Sequence, residues 1–201
     1  MRARIYDAAL LPLTSRWYRA VLERLSTGDR LLDIGVGTAG ALTANADVVR
    51  NLELDVLGID IDEDYLKRAQ KLVDDTGLTE RVKVRLQSVY DCEDGPFEAA
   101  YFSASYMLLP DPPAALKQIM GQLSDDGRIF FTQTFQTRRS PVMEKMKPLL
   151  KKLTTIDFGT VTYEEDFRAS VESAGLVIED MVELGSHGAR SYRMIVGRPQ
   201  R

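Results

Sequence analysis

Apolar positions recur with two different periods along this chain, and the two periods alternate. Leu13, Trp17, Val21 and Leu25 return every four residues, one stripe of a helix over 14–25 that ends near Gly28. A short apolar strand over 30–34 leads into a glycine turn and a helix reaching Arg50. DVLGID (55–60) reads as a strand and 63–75 as a helix stopped by Gly77. Strands follow over 82–87 (VKVRLQ) and 98–104 (EAAYFSA). Asp111 and Pro112 supply an N-cap and first turn for a helix over 112–123, and the turn SDDG feeds a strand over 128–135. An irregular basic segment comes next, with a helix over 141–152 interrupted near Pro148. Thr162 and Glu165 have capping-box spacing for a helix over 162–174, which Gly175 ends. VIEDMVEL and SYRMIVG, flanking a GSHGAR loop, read as two antiparallel strands.

Strand–helix alternation predicts an α/β chain: a Rossmann-like, doubly wound sheet, mostly parallel, with an antiparallel last strand. Such sheets bind ligands beyond the carboxyl ends of their strands. Those ends fall at 33–37, 60–62, 87–90, 103–106, 135–137 and 184–188. With no repeat or linker, residues 1–201 form one expected domain. Its parts are an N-terminal lid or helical region (1–29), a core (30–135) and an acceptor-side segment with the closing hairpin (136–201).

Composition narrows the function. The chain has 201 residues, 44% hydrophobic, and a formal net charge of −4, so no broad basic face for nucleic acid is expected. Cys92 is the only cysteine and His187 the only histidine, which leaves neither a disulfide framework nor a zinc cluster, and no metal is expected. The N-terminal apolar run is too short for a signal peptide or a span. Arg2, Arg4, Arg16 and Arg19 admit a transit peptide or a membrane-facing helix; the expected reading is an amphipathic helix against the core, with a cytoplasmic location by default.

The sharpest motif is LLDIGVGTAG, 31–40, a G-x-G-x-x-G over Gly35, Gly37 and Gly40 with Asp33 inside the preceding strand. A turn built for phosphate gains nothing from that carboxylate. Asp60 ends the next strand 20 residues after Gly40, the spacing at which a carboxylate accepts both ribose hydroxyls of a nucleoside, although Asp60 could also N-cap the next helix.

The ordered combination resembles the class I S-adenosylmethionine-dependent methyltransferases from about Arg30 to Phe135, with LLDIGVGTAG like their first motif and LGIDIDEDYLKRAQ like their second. The resemblance implies S-adenosyl-L-methionine as cofactor. It implies that Asp33 holds the ammonium end and that the backbone of Gly35, Val36 and Gly37 passes close to the ligand. Asp60 would take the ribose hydroxyls and Ile61 one adenine face. Ser88 stands where many relatives carry an acid on the adenine amino group, and with the Val89 amide would address the ring. Ser103 would approach the cofactor, with Ser105 and Tyr106 facing the acceptor.

Tyr6–Asp7 is similar to the YD that opens many ubiquinone-, menaquinone- and phospholipid-type methyltransferases, which implies a lid role for Tyr6. DPPA (111–114) fails the nucleic-acid amino-methylation box, because Ala114 replaces its aromatic residue. His187 is the candidate general base, and no catalytic residue is otherwise assigned. Lys145, Lys147, Lys151 and Lys152 lie on a basic amphipathic stretch suited to an acceptor cover or anionic lipid, with a solvated face the commoner outcome. The expected function is methyl transfer to a small, partly apolar metabolite or lipid-like acceptor. The alternatives are a non-catalytic methyltransferase-like binding subunit and a nicotinamide-dependent oxidoreductase.

Overall fold

A computed structural model describes residues 2–137 and 162–200, with 2–10 described as backbone alone. Seven strands form one sheet in the order β3-β2-β1-β4-β5-β7-β6. β1 (Arg30–Ile34), β2 (Asp55–Asp60), β3 (Val82–Leu86), β4 (Phe97–Ser103) and β5 (Leu123–Gln136) run parallel. β7 (Arg190–Pro199) lies antiparallel between β5 and β6 (Leu176–His187).

Side-chain alternation along these strands separates two cores. Leu31, Val56, Tyr101 and Phe130 face the helices α1 (Arg2–Leu22), α2 (Gly40–Thr43), α3 (Ala46–Asn51) and α4 (Glu63–Asp75). Leu32, Ile59, Phe102 and Phe131 face α5 (Pro112–Met120) and α6 (Glu164–Ser173). In a strand, residues two apart share a face. Asp33 therefore points to the α1 side with Leu31, and Ser103 points there with Tyr101.

The expected helix over 14–25 begins much earlier, at Arg2, and passes through Pro12. Its buried stripe includes Trp17 and Val21 but also Tyr18 and Leu22; the helix ends at Leu22, and Leu25 is buried just beyond it. The single helix expected before Arg50 is two short ones, because Asn45 turns its side chain back to the Ala41 carbonyl at 2.8 Å and to the Ser15 carbonyl at 2.9 Å. SDDG is not a separate turn. It sits inside β5, where the register against β4 jumps from Phe97↔Leu123 to Ala99↔Arg128. The Thr162–Glu165 capping box does not form: Tyr163 is the N-cap of α6, and the Thr162 hydroxyl accepts instead from Gln133 Nε2 at 3.3 Å. Asp111 caps α5 as expected, accepting from the Ala114 amide at 3.1 Å. The helix expected over 141–152 and its lysines lie outside the described residues.

Candidate active site

The turn after β1 is held from two sides, by β2 and by the segment after β4. The Gly37 amide donates to Asp60 Oδ2 at 2.9 Å, and the Gly35 amide donates to the Ile59 carbonyl at 2.8 Å. From just past β4, the Ser105 hydroxyl donates to the Ile34 carbonyl at 2.6 Å. Gly35 and Gly37 have φ of +76° and +58°, the left-handed region that favours glycine. Ala39 and Ala104 share that conformation at φ 56° without being glycine, so strained backbone gathers on both sides of the turn.

The glycines have different duties. A Cβ on Gly35 would lie 2.8 Å from Ser105 Cβ, whereas one on Gly37 would meet nothing within 4 Å. Gly40 allows α1 to approach, its Cβ position lying 3.4 Å from Leu11 Cδ1. Val36 turns its side chain into the core against Gly58, its amide donates to the Ile59 carbonyl at 3.2 Å, and its carbonyl accepts from the Ala39 amide at 3.0 Å.

Over this turn opens a cavity of about 740 Å³, reached by Tyr18, Gly35, Gly37, Tyr65, Arg68 and Ser103. Beneath it lies Asp33, wholly buried, with the Tyr18 hydroxyl donating to Oδ2 at 2.9 Å and standing 3.2 Å from Oδ1. Burial pushes the Asp33 carboxyl up to about 7; the Tyr18 hydrogen bond pulls against this, and the neighbouring Asp60 charge adds to it. A carboxylate so placed lacks a counter-charge, and a cationic ligand end would supply one.

Asp60 is half-buried, and its Oδ1 accepts from the Asp62 amide at 2.9 Å. The N-cap of α4 is Asp62, which accepts from the Tyr65 amide at 3.0 Å, so Asp60 is left with lone pairs for a ligand. Beside it Ile61 is 79% exposed and Leu86, its neighbour on β3, 57% exposed, an apolar shelf at the sheet's edge. Ser88 accepts from the Tyr90 amide at 3.3 Å as the cap of a short 3-10 turn, and the Val89 side chain is buried in the core.

The acceptor-side residues do not assemble as expected. Tyr106 is buried on the opposite face of the sheet, its ring packed edge-on against Phe102, Phe131 and Phe167 and its hydroxyl 2.9 Å from Ser170 Oγ on α6. Ser105 commits its hydroxyl to the Ile34 carbonyl. His187 is exposed at the tip of β6, four strands from β1, or about 19 Å at the usual strand spacing. Tyr6 lies on α1, where only the backbone is described. The convergence of Tyr6, Tyr106 and His187 is therefore corrected for Tyr106 and His187. Sequence reasoning missed Tyr18, Leu86, Tyr65 and Arg68.

The sequence matches the family described as "Methyltransferase domain" over residues 25–175. The chain belongs to this methyltransferase family. Its fold is that of the class I S-adenosylmethionine-dependent members, and S-adenosyl-L-methionine is the cofactor. A curated relative from Mycobacterium tuberculosis, named "Probable fatty acid methyltransferase", is 33% identical over 95 residues, 46% of this chain. That match spans 21% of the relative's length, so the methyltransferase chain covers about a fifth of it. Among solved structures, the cyclase SpnF superposes with a TM-score of 0.74 at 20% identity, covering 92% of this chain and 81% of its own. Geranyl diphosphate C-methyltransferase from Streptomyces coelicolor, in complex with Mg2+, geranyl diphosphate and S-adenosyl-L-homocysteine, superposes with a TM-score of 0.72 at 13% identity, covering 96% and 80%. At these identities the structures establish the fold. Among the described residues no cluster of ligands suited to a metal occurs, and no helix is long and apolar enough to cross a membrane.

The donor set of this methyltransferase fits the cofactor. Gly37 presents bare backbone to an open cavity, Asp33 is a buried carboxyl without a cation, and Asp60 stands beside an exposed apolar shelf. Replacing Asp60 with alanine is expected to weaken S-adenosylhomocysteine binding by about 1–3 kcal/mol in titration calorimetry, through lost ligand hydrogen bonds and a released Gly37 amide. Unchanged affinity would remove Asp60 from the site.

Proposed function

We propose that this protein is a single methyltransferase domain, with the parts 1–29, 30–135 and 136–201, that methylates a small, partly apolar acceptor by direct in-line displacement. The observation that carries the reading is the cation-free, buried Asp33 beneath a glycine turn whose Gly37 has open space where a side chain would stand. When bound, S-adenosylmethionine supplies an electrophilic methyl group on a sulfonium. Asp33 places a negative charge where the ammonium end belongs. Asp60 accepts from ribose hydroxyls, and Ile61 offers an apolar face to adenine beside the Ser88–Val89 backbone. Ser103, lining the cavity at the end of β4, stands near the cofactor, and the cavity holds the cofactor in place for an acceptor to approach in line.

An acceptor with an apolar body is supported by two resemblances, to a protein named for fatty acids and to one named for geranyl diphosphate. Such an acceptor, if already nucleophilic, needs no side-chain base. His187→Asn is accordingly expected to leave turnover within about twofold, where loss of a general base would cost about 10²–10⁴-fold. A second reading is a cofactor-binding protein that does not transfer the methyl group; a cyclase among the structures of this fold favours it. Release of S-adenosylhomocysteine against a panel of small metabolites and lipids separates the two. Binding without turnover across the panel would favour the second reading, and calorimetric binding of NAD in place of S-adenosylhomocysteine would overturn both.

A further inference from the structure

The contact that fastens helix α1 to strand β1 is polar. Tyr18 is 4% exposed and Asp33 0%, and the phenol spans both carboxylate oxygens at 2.9 and 3.2 Å. A residue that only filled space there could be phenylalanine. Placing a hydroxyl against a buried carboxyl is favourable only if the bond between them is made.

Few groups face this carboxyl. Tyr18 approaches from α1, Tyr101 and Ser103 from β4 and Asp60 from β2, and among the described residues no cation does. The Tyr101 hydroxyl is 2.8 Å from Thr132 Oγ1 on the next strand. Burial holds the Tyr18 phenol well above its ordinary range, so it remains a donor at every physiological pH. Tyr18 also lines the cavity above Asp33, within reach of whatever Asp33 binds.

We propose that Tyr18 is a positioning residue of the cofactor site: its hydroxyl fixes the orientation of the Asp33 carboxylate, favours its charged form, and so ties α1 to the side chain that receives the cofactor's ammonium. The inference rests on the cofactor reading above. It makes α1 part of the binding apparatus rather than a cover laid over it. A donor to the charged carboxylate shifts its titration downward, and removing that donor shifts it upward, while the ring packing against Tyr101 at 4.9 Å survives in phenylalanine.

The test is calorimetric binding of S-adenosylhomocysteine to the wild type, Tyr18→Phe and Tyr101→Phe from roughly pH 5.5 to pH 9. Wild-type affinity should fall below about pH 7. Tyr18→Phe should move that midpoint up by about one unit, giving about tenfold weaker binding on the acid side and convergence to within about twofold at high pH. Tyr101→Phe, which also loses a buried hydroxyl, should leave the midpoint in place. If Tyr18→Phe lowers affinity equally at every pH, or leaves the midpoint unmoved, Tyr18 is only a packing residue. Should that variant not fold, protein grown with 3-fluorotyrosine, a stronger donor, gives the opposite displacement, and an unmoved midpoint there overturns the proposal too. Failure of the wild type to bind at any pH would overturn the cofactor reading instead.

Discussion

Asp33→Asn is expected to reduce S-adenosylhomocysteine affinity by roughly 3–5 kcal/mol, the cost of leaving a buried charge without its partner. The same change should make the ligand-free protein no less stable at pH 8 than the wild type. The sign follows from where the proton sits. The folded protein keeps the Asp33 proton up to about 7, whereas the unfolded chain releases it near the ordinary carboxylate value of 3.8. Between those values the folded state holds more protons, so unfolding free energy falls as pH rises. The contribution is fully present below pH 4 and lost above pH 7, on the order of 4 kcal/mol at most. Asparagine removes this slope at the cost of one amide without a ready partner, about 1–3 kcal/mol. Urea unfolding at pH 5 and pH 8 reads both effects. A wild type whose stability did not fall across that interval would show that Asp33 is charged in the free protein, and binding unaffected by asparagine would remove it from the site.

Gly37→Val is expected to abolish detectable cofactor binding while the protein stays folded by circular dichroism. Its φ of +58° costs a branched side chain about 1–3 kcal/mol, a loss a domain of this size can survive. No protein atom lies within 4 Å of the added Cβ, so the volume it occupies is taken from the cavity. Gly35→Ala makes the contrasting case. Its Cβ would press on Ser105 at 2.8 Å, so its damage should appear first as lost thermal stability. Equal affinity in Gly37→Val and the wild type would confine the glycine to shaping the turn.

Local patterns made most of the fold legible. The strands that carry the cofactor turn follow directly from apolar runs bounded by glycine and aspartate; the D-x-G-x-G spacing singled out Asp33 and Gly37, and the acid ending the next strand, 20 residues after Gly40, singled out Asp60, which the fold brings to the Gly37 amide. What stayed hidden depended on partners remote in sequence. Tyr18 looks in sequence like any other member of a buried helical stripe; only the placement of α1 over β1 reveals its contact with Asp33, 15 residues away. Thr162 and Glu165 satisfy a capping pattern, yet Gln133, 29 residues away, takes the hydroxyl. His187 was correctly set at the carboxyl rim, but the order of strands along the sheet is not written in any one of them. Tyr106 lies past the end of β4, in a short 3-10 turn entered through the left-handed Ala104, and packs on the face opposite Ser103, where three aromatic rings already gather.

The seating of β7 between β5 and β6 also governs how the chain is made. Synthesis delivers β5 and β6 first, and in the folded sheet both take their hydrogen bonds from β7, which lies between them. Until residue 199 has left the ribosome, the nascent chain carries two long unpaired strand edges, the kind of surface that invites chaperones or aggregation.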